Sequence, residues 1–259
     1  MNTQTPHKAP SATDALLRRF QTLLAQVLFC WMIASAHAAQ PRIVFHEIVN
    51  PGAGKLVHSL GSYPAMSGDG NVVVYSVSRA DSQLDMFAIN TDGTGQHSLG
   101  VFPTNSYRPA ISHNGALAAL WRDWDIYTLN TTSGAPVKVL TMSNNGAIGS
   151  IAVNDDGTKV YFIIRFDDTI FNTSTVLQGG VWEMNPDGSG RRLVTSLNAM
   201  KALVGGDASA WVGGLAYEAL AISQNNRLVF PYQPVYATFM NQIMGVNVDG
   251  TGLHAIGPQ

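Results

Sequence analysis

Ser67–Val77, SGDGNVVVYSV, followed by Asp85–Gly100, DMFAINTDGTGQHSLG, is the stretch on which the fold is decided. Each half places a tight turn next to an apolar run. Asp-Gly supplies the positive φ that a short hairpin demands, and Val72–Val77 is nearly all apolar, as in a strand covered on both faces. The unit recurs as SHNGALAALW (Ser112–Trp121) with DIYTLNTTSGAPVKVLT (Asp125–Thr141). It returns as NDDGTKVYFII (Asn154–Ile164) with VWEMNPDGSGRRLVT (Val181–Thr195), then as SQNNRLVFPY (Ser223–Tyr232) with IMGVNVDGTGLHAIG (Ile243–Gly257). A step of about 40 to 45 residues, stretched by insertions in the later copies, is the spacing of a β-propeller with four strands to a blade.

The repeat predicts an all-β propeller of four-stranded antiparallel blades at about 62–100, 107–141, 149–195 and 217–257. Arg42–Gly61 matches only the second half of a unit, with Asn50-Pro51-Gly52 at its turn and Leu60-Gly61 in the place of Leu99-Gly100. The expectation is therefore four full blades and an N-terminal half-blade over 43–61.

Ser-x-Asp-Gly before an apolar strand, then an aromatic-containing strand ending in Asn-x-Asp-Gly-x-Gly, resembles the blade repeat of the TolB-type periplasmic β-propellers. The resemblance spans roughly residues 43–257 and implies a six-bladed propeller, of which the four and a half blades here would be an incomplete set, exported to the periplasm and binding protein partners without catalysis. The copies depart from the pattern at Ser112-His113-Asn114-Gly115, at Thr132-Ser133-Gly134 and at Asn225-Asn226.

Residues 1–38 read as a secretory signal peptide. Lys8, Arg18 and Arg19 precede the apolar run Leu23–Ala34, and Ala34, Ala36 and Ala38 provide small residues for cleavage after Ala38 or Ala36. The apolar run is well under the ~20 residues of a spanning helix, so no stable membrane insertion is expected after cleavage. Residues 39–259 then form the propeller domain, periplasmic or secreted. Loss of Lys8, Arg18, Arg19 and Asp14 moves the formal charge from −2 to −4 and leaves no cysteine, since Cys30 lies in the signal. An acidic chain offers no field for nucleic acid, and an exported domain without disulfides is held by core burial.

In a blade the second-to-third and blade-to-blade connections share one end. Those connections are long at Phe166–Gly179, Ser196–Ala219 and Gln233–Asn241, and long loops on a rigid scaffold are where function sits. The binding residues expected there are Arg79, Asp81, Tyr107, Arg108, Arg122, Asp123, Trp124, Arg165, Asp167, Asp168, Trp211, Tyr217, Glu218, Tyr232 and Tyr236. Trp, Tyr and Arg are the residue types that anchor protein interfaces, although some of these aromatics are equally suited to capping a core.

No catalytic constellation, metal site or cofactor is expected. His58, His97 and His254 hold equivalent positions in separate blades and point apart, and the Asp-Gly carboxylates are accounted for by turn chemistry instead of calcium. There is no G-x-S-x-G elbow and no phosphate loop. The function read from the sequence is a non-catalytic module for a protein or peptide. The alternative is a propeller enzyme, of lyase or lactonase type, acting on a sugar-derived substrate. The first strands Tyr63–Ser67, Arg108–Ser112, Ser150–Asn154 and Ala219–Ser223 carry no His, Asp or Glu before the turn residue, which favours binding.

Overall fold

The computed structural model describes residues 64–257 apart from 80, 82, 104–108, 123, 135, 144–146, 172, 213–219 and 236–241. The chain divides into units Met1–Gly52 and Ala53–Gln259, and every described residue belongs to the second. The expected signal peptide and the half-blade at 43–61 lie outside the described residues.

The four expected blades are present as four antiparallel meanders. Blade 1 is β1 (Ala65–Met66), β2 (Val72–Ser78), β3 (Gln83–Asn90) and β4 (His97–Pro103). Blade 2 is β5 (Ala110–Ile111), β6 (Leu117–Arg122), β7 (Asp125–Asn130) and β8 (Pro136–Thr141). Blade 3 begins with β9 (Ile148–Val153) and β10 (Val160–Ile164), sends out the separate hairpin β11 (Asp168–Ile170) and β12 (Thr175–Leu177), and resumes with β13 (Gly180–Met184) and β14 (Arg192–Ser196). Helix α1 (Leu197–Val204) follows. In blade 4 two short strands, β15 (Trp211–Val212) and β16 (Ala221–Ile222), pair with β17 (Arg227–Gln233), which continues to β18 (Gln242–Asn247) and β19 (His254–Ile256).

Two segments expected as plain loops carry secondary structure. Phe166–Gly179 contains the β11–β12 hairpin, and Ser196–Ala219 contains α1 and β15. The helix starts because Ser196 Oγ accepts the Ala199 N–H at 3.0 Å, and it ends at Gly205, whose N–H donates to Lys201 O.

The turns show why the repeat recurs. In the first turn Ser67 N–H donates to Val72 O, Ser112 N–H to Leu117 O and Asn154 N–H to Lys159 O, with Gly70, Gly115 and Gly157 at positive φ. Blade 4 closes this turn one residue earlier, Ser223 N–H to Arg227 O, with Asn226 at φ 56°. Leu228 thereby takes the place that Val73, Ala118 and Val160 hold elsewhere, and the facing of the strand is kept. In the second turn Asp92, Asp187 and Asp249 each accept the N–H and hydroxyl of Thr94, Ser189 and Thr251 at 2.6–2.9 Å. These bonds, hydroxyl first, hold the three carboxyls below the ordinary Asp value. Copy two has no Asp there, and Asn130 Oδ1 accepts from Thr132 instead.

Apolar layers fill the spaces between blades. Val74, Met86 and Leu99 meet Ala118, Leu120 and Leu129; Trp121 and Ile126 meet Ile151, Phe162 and Met184; Tyr161, Ile163 and Val181 meet Leu228, Phe230 and Met244. Alternation within each strand sends odd and even residues to opposite neighbours, which explains the continuous apolar runs.

A polar joint repeats at each of these interfaces. The residue after Asn in the second turn offers its main-chain carbonyl to the preceding blade. Thr131 O is met by His97 Nε2, Pro186 O accepts from Thr128 Oγ1 at 2.8 Å, and Val248 O accepts from Arg192 Nη2 at 2.7 Å. The turn glycine sits where a side chain would collide: a Cβ on Gly134, Gly188 or Gly250 would lie 2.4–2.8 Å from Ser98 O, Val139 O or Val194 O of the preceding blade. His97, on the outer strand of blade 1, therefore joins two blades.

Candidate functional site

Five of the expected residues, Trp124, Arg165, Asp167, Asp168 and Trp211, lie at the end carrying the second-to-third connections of blades 2, 3 and 4. Arg165 leaves the end of β10 with its N–H donating to Ala147 O and its side chain 3% exposed. Its guanidinium lies 5.0 Å from the centre of the Trp211 ring, a cation–π contact. Gly149 of the first strand also approaches it closely: a Cβ there would come 3.1 Å from Arg165 Cγ. Trp211 is held in turn: its indole Nε1 donates to Gln233 Oε1, and Gln233 Nε2 donates to Val235 O. Strand β15 thus fixes the Trp211 ring over a buried cation.

Beside this stack, Phe166, Asp167, Gly179, Ser196, Lys201 and Ala210 contribute to a cleft of about 210 Å³. Asp167 Oδ1 accepts the Gly179 N–H at 2.8 Å, tying the two ends of the hairpin segment together. Asp168 is buried at the base of β11, and its Oδ2 has no hydrogen-bond partner among the described residues.

The hairpin is stitched to blade 2. Ser143 N–H donates to Thr169 O at 2.8 Å, Met142 bridges to Ile170, and Met142 N–H also donates to Trp124 O. This sets the Trp124 ring 5.5 Å from that of Phe171, two aromatics from different blades that are 45% and 56% exposed. Val176, exposed on the same hairpin, adds apolar surface. Sequence reasoning placed Phe171 inside a long loop without singling it out. The alternation Asp168–Ile170 and Thr175–Leu177 around Asn172-Thr173-Ser174 was the available signal, and Ser174 does take a positive φ of 51°.

The remaining expected residues have separate surroundings. Arg79 pairs with Asp81 and Asp85, both at 3.2 Å, so its charge is engaged within blade 1. Arg122 is half-buried at the end of β6, in register with Asp125. Tyr232 lies in the core between blades 3 and 4, its hydroxyl donating to Gly205 O at 2.7 Å. Tyr107, Arg108, Asp123, Tyr217, Glu218 and Tyr236 lie outside the described residues.

Among the described residues no group of three His, Cys, Asp or Glu side chains converges as metal ligands would. Among them, too, no helix is long and apolar enough to cross a membrane. What the arrangement offers chemically is an exposed aromatic pair at the turn of the hairpin and, at the hairpin's base, a cleft lined by one carboxylate and one ammonium group.

Fold and site together define an all-β propeller with one elaborated end. No family model matches the sequence, and no curated protein matches it. Among solved structures it is similar to TolB from Acinetobacter baumannii, at 9% identity and a TM-score of 0.48 over 77% of this chain and 43% of that one. It is also similar to Kuenenia stuttgartiensis hydrazine synthase (10% identity, TM-score 0.43, 80% of this chain and 52% of that one). A third is oligogalacturonate lyase from Vibrio parahaemolyticus (10% identity, TM-score 0.34, 74% and 63%). The chain spans less than two thirds of the length of each of these three.

Proposed function

We propose that this chain is an exported, non-catalytic propeller that binds a protein or peptide partner at the end formed by the second-to-third connections of blades 2, 3 and 4. The observation that carries the reading is the Trp124–Phe171 pair, held in place by main-chain hydrogen bonds from Met142 and Ser143 yet half in solvent. Exposed rings on a rigid support give contact area at small entropic cost, the pattern of an interface anchor. The cleft at the base of the same hairpin, with Asp167 and Lys201 on its walls, supplies groups of both signs that a peptide backbone or its charged side chains would meet. Export follows from the charged start, apolar run and small residues of positions 1–38.

The test is affinity capture from a periplasmic extract on immobilised wild-type chain and on the Trp124→Ala/Phe171→Ala double variant. Proteins enriched on the wild type and lost on the double variant, with its circular dichroism unchanged, support the reading. An identical set on both overturns it.

A further inference from the structure

The first turns of neighbouring blades touch at the end opposite the hairpin. In blade 2 this turn is Ser112-His113-Asn114-Gly115, and an Asn stands where blades 1 and 3 have Asp69 and Asp156. Its side-chain oxygen takes the carboxylate's role. Asn114 Oδ1 accepts the Ser112 hydroxyl at 2.7 Å and the Ala116 N–H at 3.0 Å, as Asp69 Oδ1 accepts the Ser67 hydroxyl at 2.6 Å and the Asn71 N–H at 3.0 Å. The Ala116 N–H can only donate, so it fixes which side of the amide carries the oxygen. The other side is where the copies differ. Asn114 Nδ2 crosses to blade 3 and donates to Asp156 O at 3.2 Å, next to a main-chain bond from Asn114 N–H to Asp155 O at 3.2 Å. Asp69 Oδ2 stays within its own turn, accepting from Asn71 Nδ2 at 2.9 Å.

Asn114 is exposed and is followed by glycine, whose peptide nitrogen no side chain shields. The sequence holds two such Asn-Gly pairs, and the second, Asn145-Gly146, lies outside the described residues. In this setting the Gly115 nitrogen can attack Asn114 Cγ: an N–Cγ bond forms, the Cγ–Nδ2 bond breaks, and Nδ2 leaves as ammonia with the proton from Gly115. Water then opens the cyclic imide to an aspartate or an isoaspartate. In the folded turn both reactants are engaged, because Gly115 N–H donates to Ser112 O at 3.0 Å and the amide is held from Ser112, Ala116 and Asp156. An aspartate product keeps the two bonds at Oδ1, as Asp69 shows, but sets an oxygen against the Asp156 carbonyl where a donor stood. Isoaspartate lengthens the main chain by one methylene beside Gly115, where a Cβ would already lie 2.8 Å from Val72 Cγ2 of blade 1.

We propose that Asn114 is a deamidation site, that the contact between blades 2 and 3 holds the reaction back, and that the product loosens this contact. The amide is both the reacting group and the tie across the interface, so a turn that opens long enough to react loses the bond that closed it. The site is separate from the Trp124–Phe171 end.

The experiment incubates the full chain at mildly alkaline pH, folded and in guanidinium chloride strong enough to unfold it, and follows the amide-to-acid mass gain by tryptic mapping. The peptide ending at Arg122 carries Asn114 and is distinct from the one carrying Asn145. Conversion at Asn114 is expected to be at least about 10-fold slower in the folded chain, since the turn must open first. Thr128→Val, which removes another bond between blades 2 and 3, should speed the folded reaction about 5-fold, the factor for one ordinary hydrogen bond. Asn114→Asp, with circular dichroism unchanged, should lower the urea midpoint by about 0.3–1 M. Equal rates in the folded and unfolded chain, or a folded rate that Thr128→Val leaves unchanged, overturn the gating. An Asn114→Asp midpoint equal to that of the wild type overturns the loosening.

Discussion

Replacing Gly188 by Ala tests whether the turn glycines are required by the neighbouring blade or only by their own backbone. Gly188 has φ +82°, and a Cβ there would lie 2.4 Å from Val139 O and 3.1 Å from Val139 Cβ. A left-handed conformation costs an L-residue roughly 1–2 kcal/mol. The carbonyl contact must open by about 1 Å, an overpacking that costs roughly 1–3 kcal/mol, because the obstacle is main chain that cannot rotate away. Gly188→Ala is therefore expected to lose roughly 2–5 kcal/mol in all. Gly93→Ala is the control: φ is +85°, nothing among the described residues lies within 4 Å, and only the backbone cost of roughly 1–2 kcal/mol is expected. Equilibrium urea unfolding by tryptophan fluorescence gives both values at comparable slope. Equal losses at the two sites would refute the reasoning.

Three further outcomes follow from the geometry. Thr128→Val removes the hydroxyl that reaches Pro186 O at 2.8 Å without changing shape, and should cost about 1–2 kcal/mol in the same urea assay; no loss would mean that this joint contributes nothing. Burial, with the Glu183 carboxylate adding to it, pushes the Tyr161 hydroxyl up to about 12. A folded value above the unfolded one stabilises fully below about pH 10 and is lost as pH rises towards 12, on the order of 2–3 kcal/mol, and Tyr161→Phe should abolish that alkaline loss in pH-dependent unfolding. Asp92, Asp187 and Asp249 have lowered values set first by the hydroxyls of Thr94, Ser189 and Thr251. Their contribution is present above about pH 4 and lost as pH falls through the folded values, so a triple Asp→Asn variant should show a flatter acid limb, and an unchanged limb counts against the turn bonds.

The blades were legible because their turns are local chemistry. Asp-Gly and Asn-x-Asp-Gly demand a backbone conformation whatever surrounds them, and the apolar runs between them are of strand length. The single-residue deletion at Asn225-Asn226 was not legible, since only the hydrogen bond from Ser223 to Arg227 reveals that Leu228, and not Val229, faces blade 3. Helix α1 was missed because eight residues with a lone serine cap give too short a period to read, and Ser196 belongs at once to β14 and to the helix start. At the site, Arg165 and Trp211 were named from the sequence, but that they stack was not, because β15 joins blade 4 from within an apparent insertion. Tyr232 was indistinguishable from a surface tyrosine until its hydroxyl was seen to reach Gly205 O. His97 shows the same limit: a polar residue on an outer strand reads as solvated unless the neighbouring turn is known.

The acceptor in each interblade joint is a main-chain oxygen, and the donors are a histidine, a threonine and an arginine. A joint that asks only for a carbonyl in a fixed place leaves the side chain at that position free to drift, which is why Thr131, Pro186 and Val248 can occupy it interchangeably. A blade copied or excised by unequal recombination would bring a working donor and a working acceptor with it, so the number of blades in such a chain can change over evolution without any joint having to be reinvented.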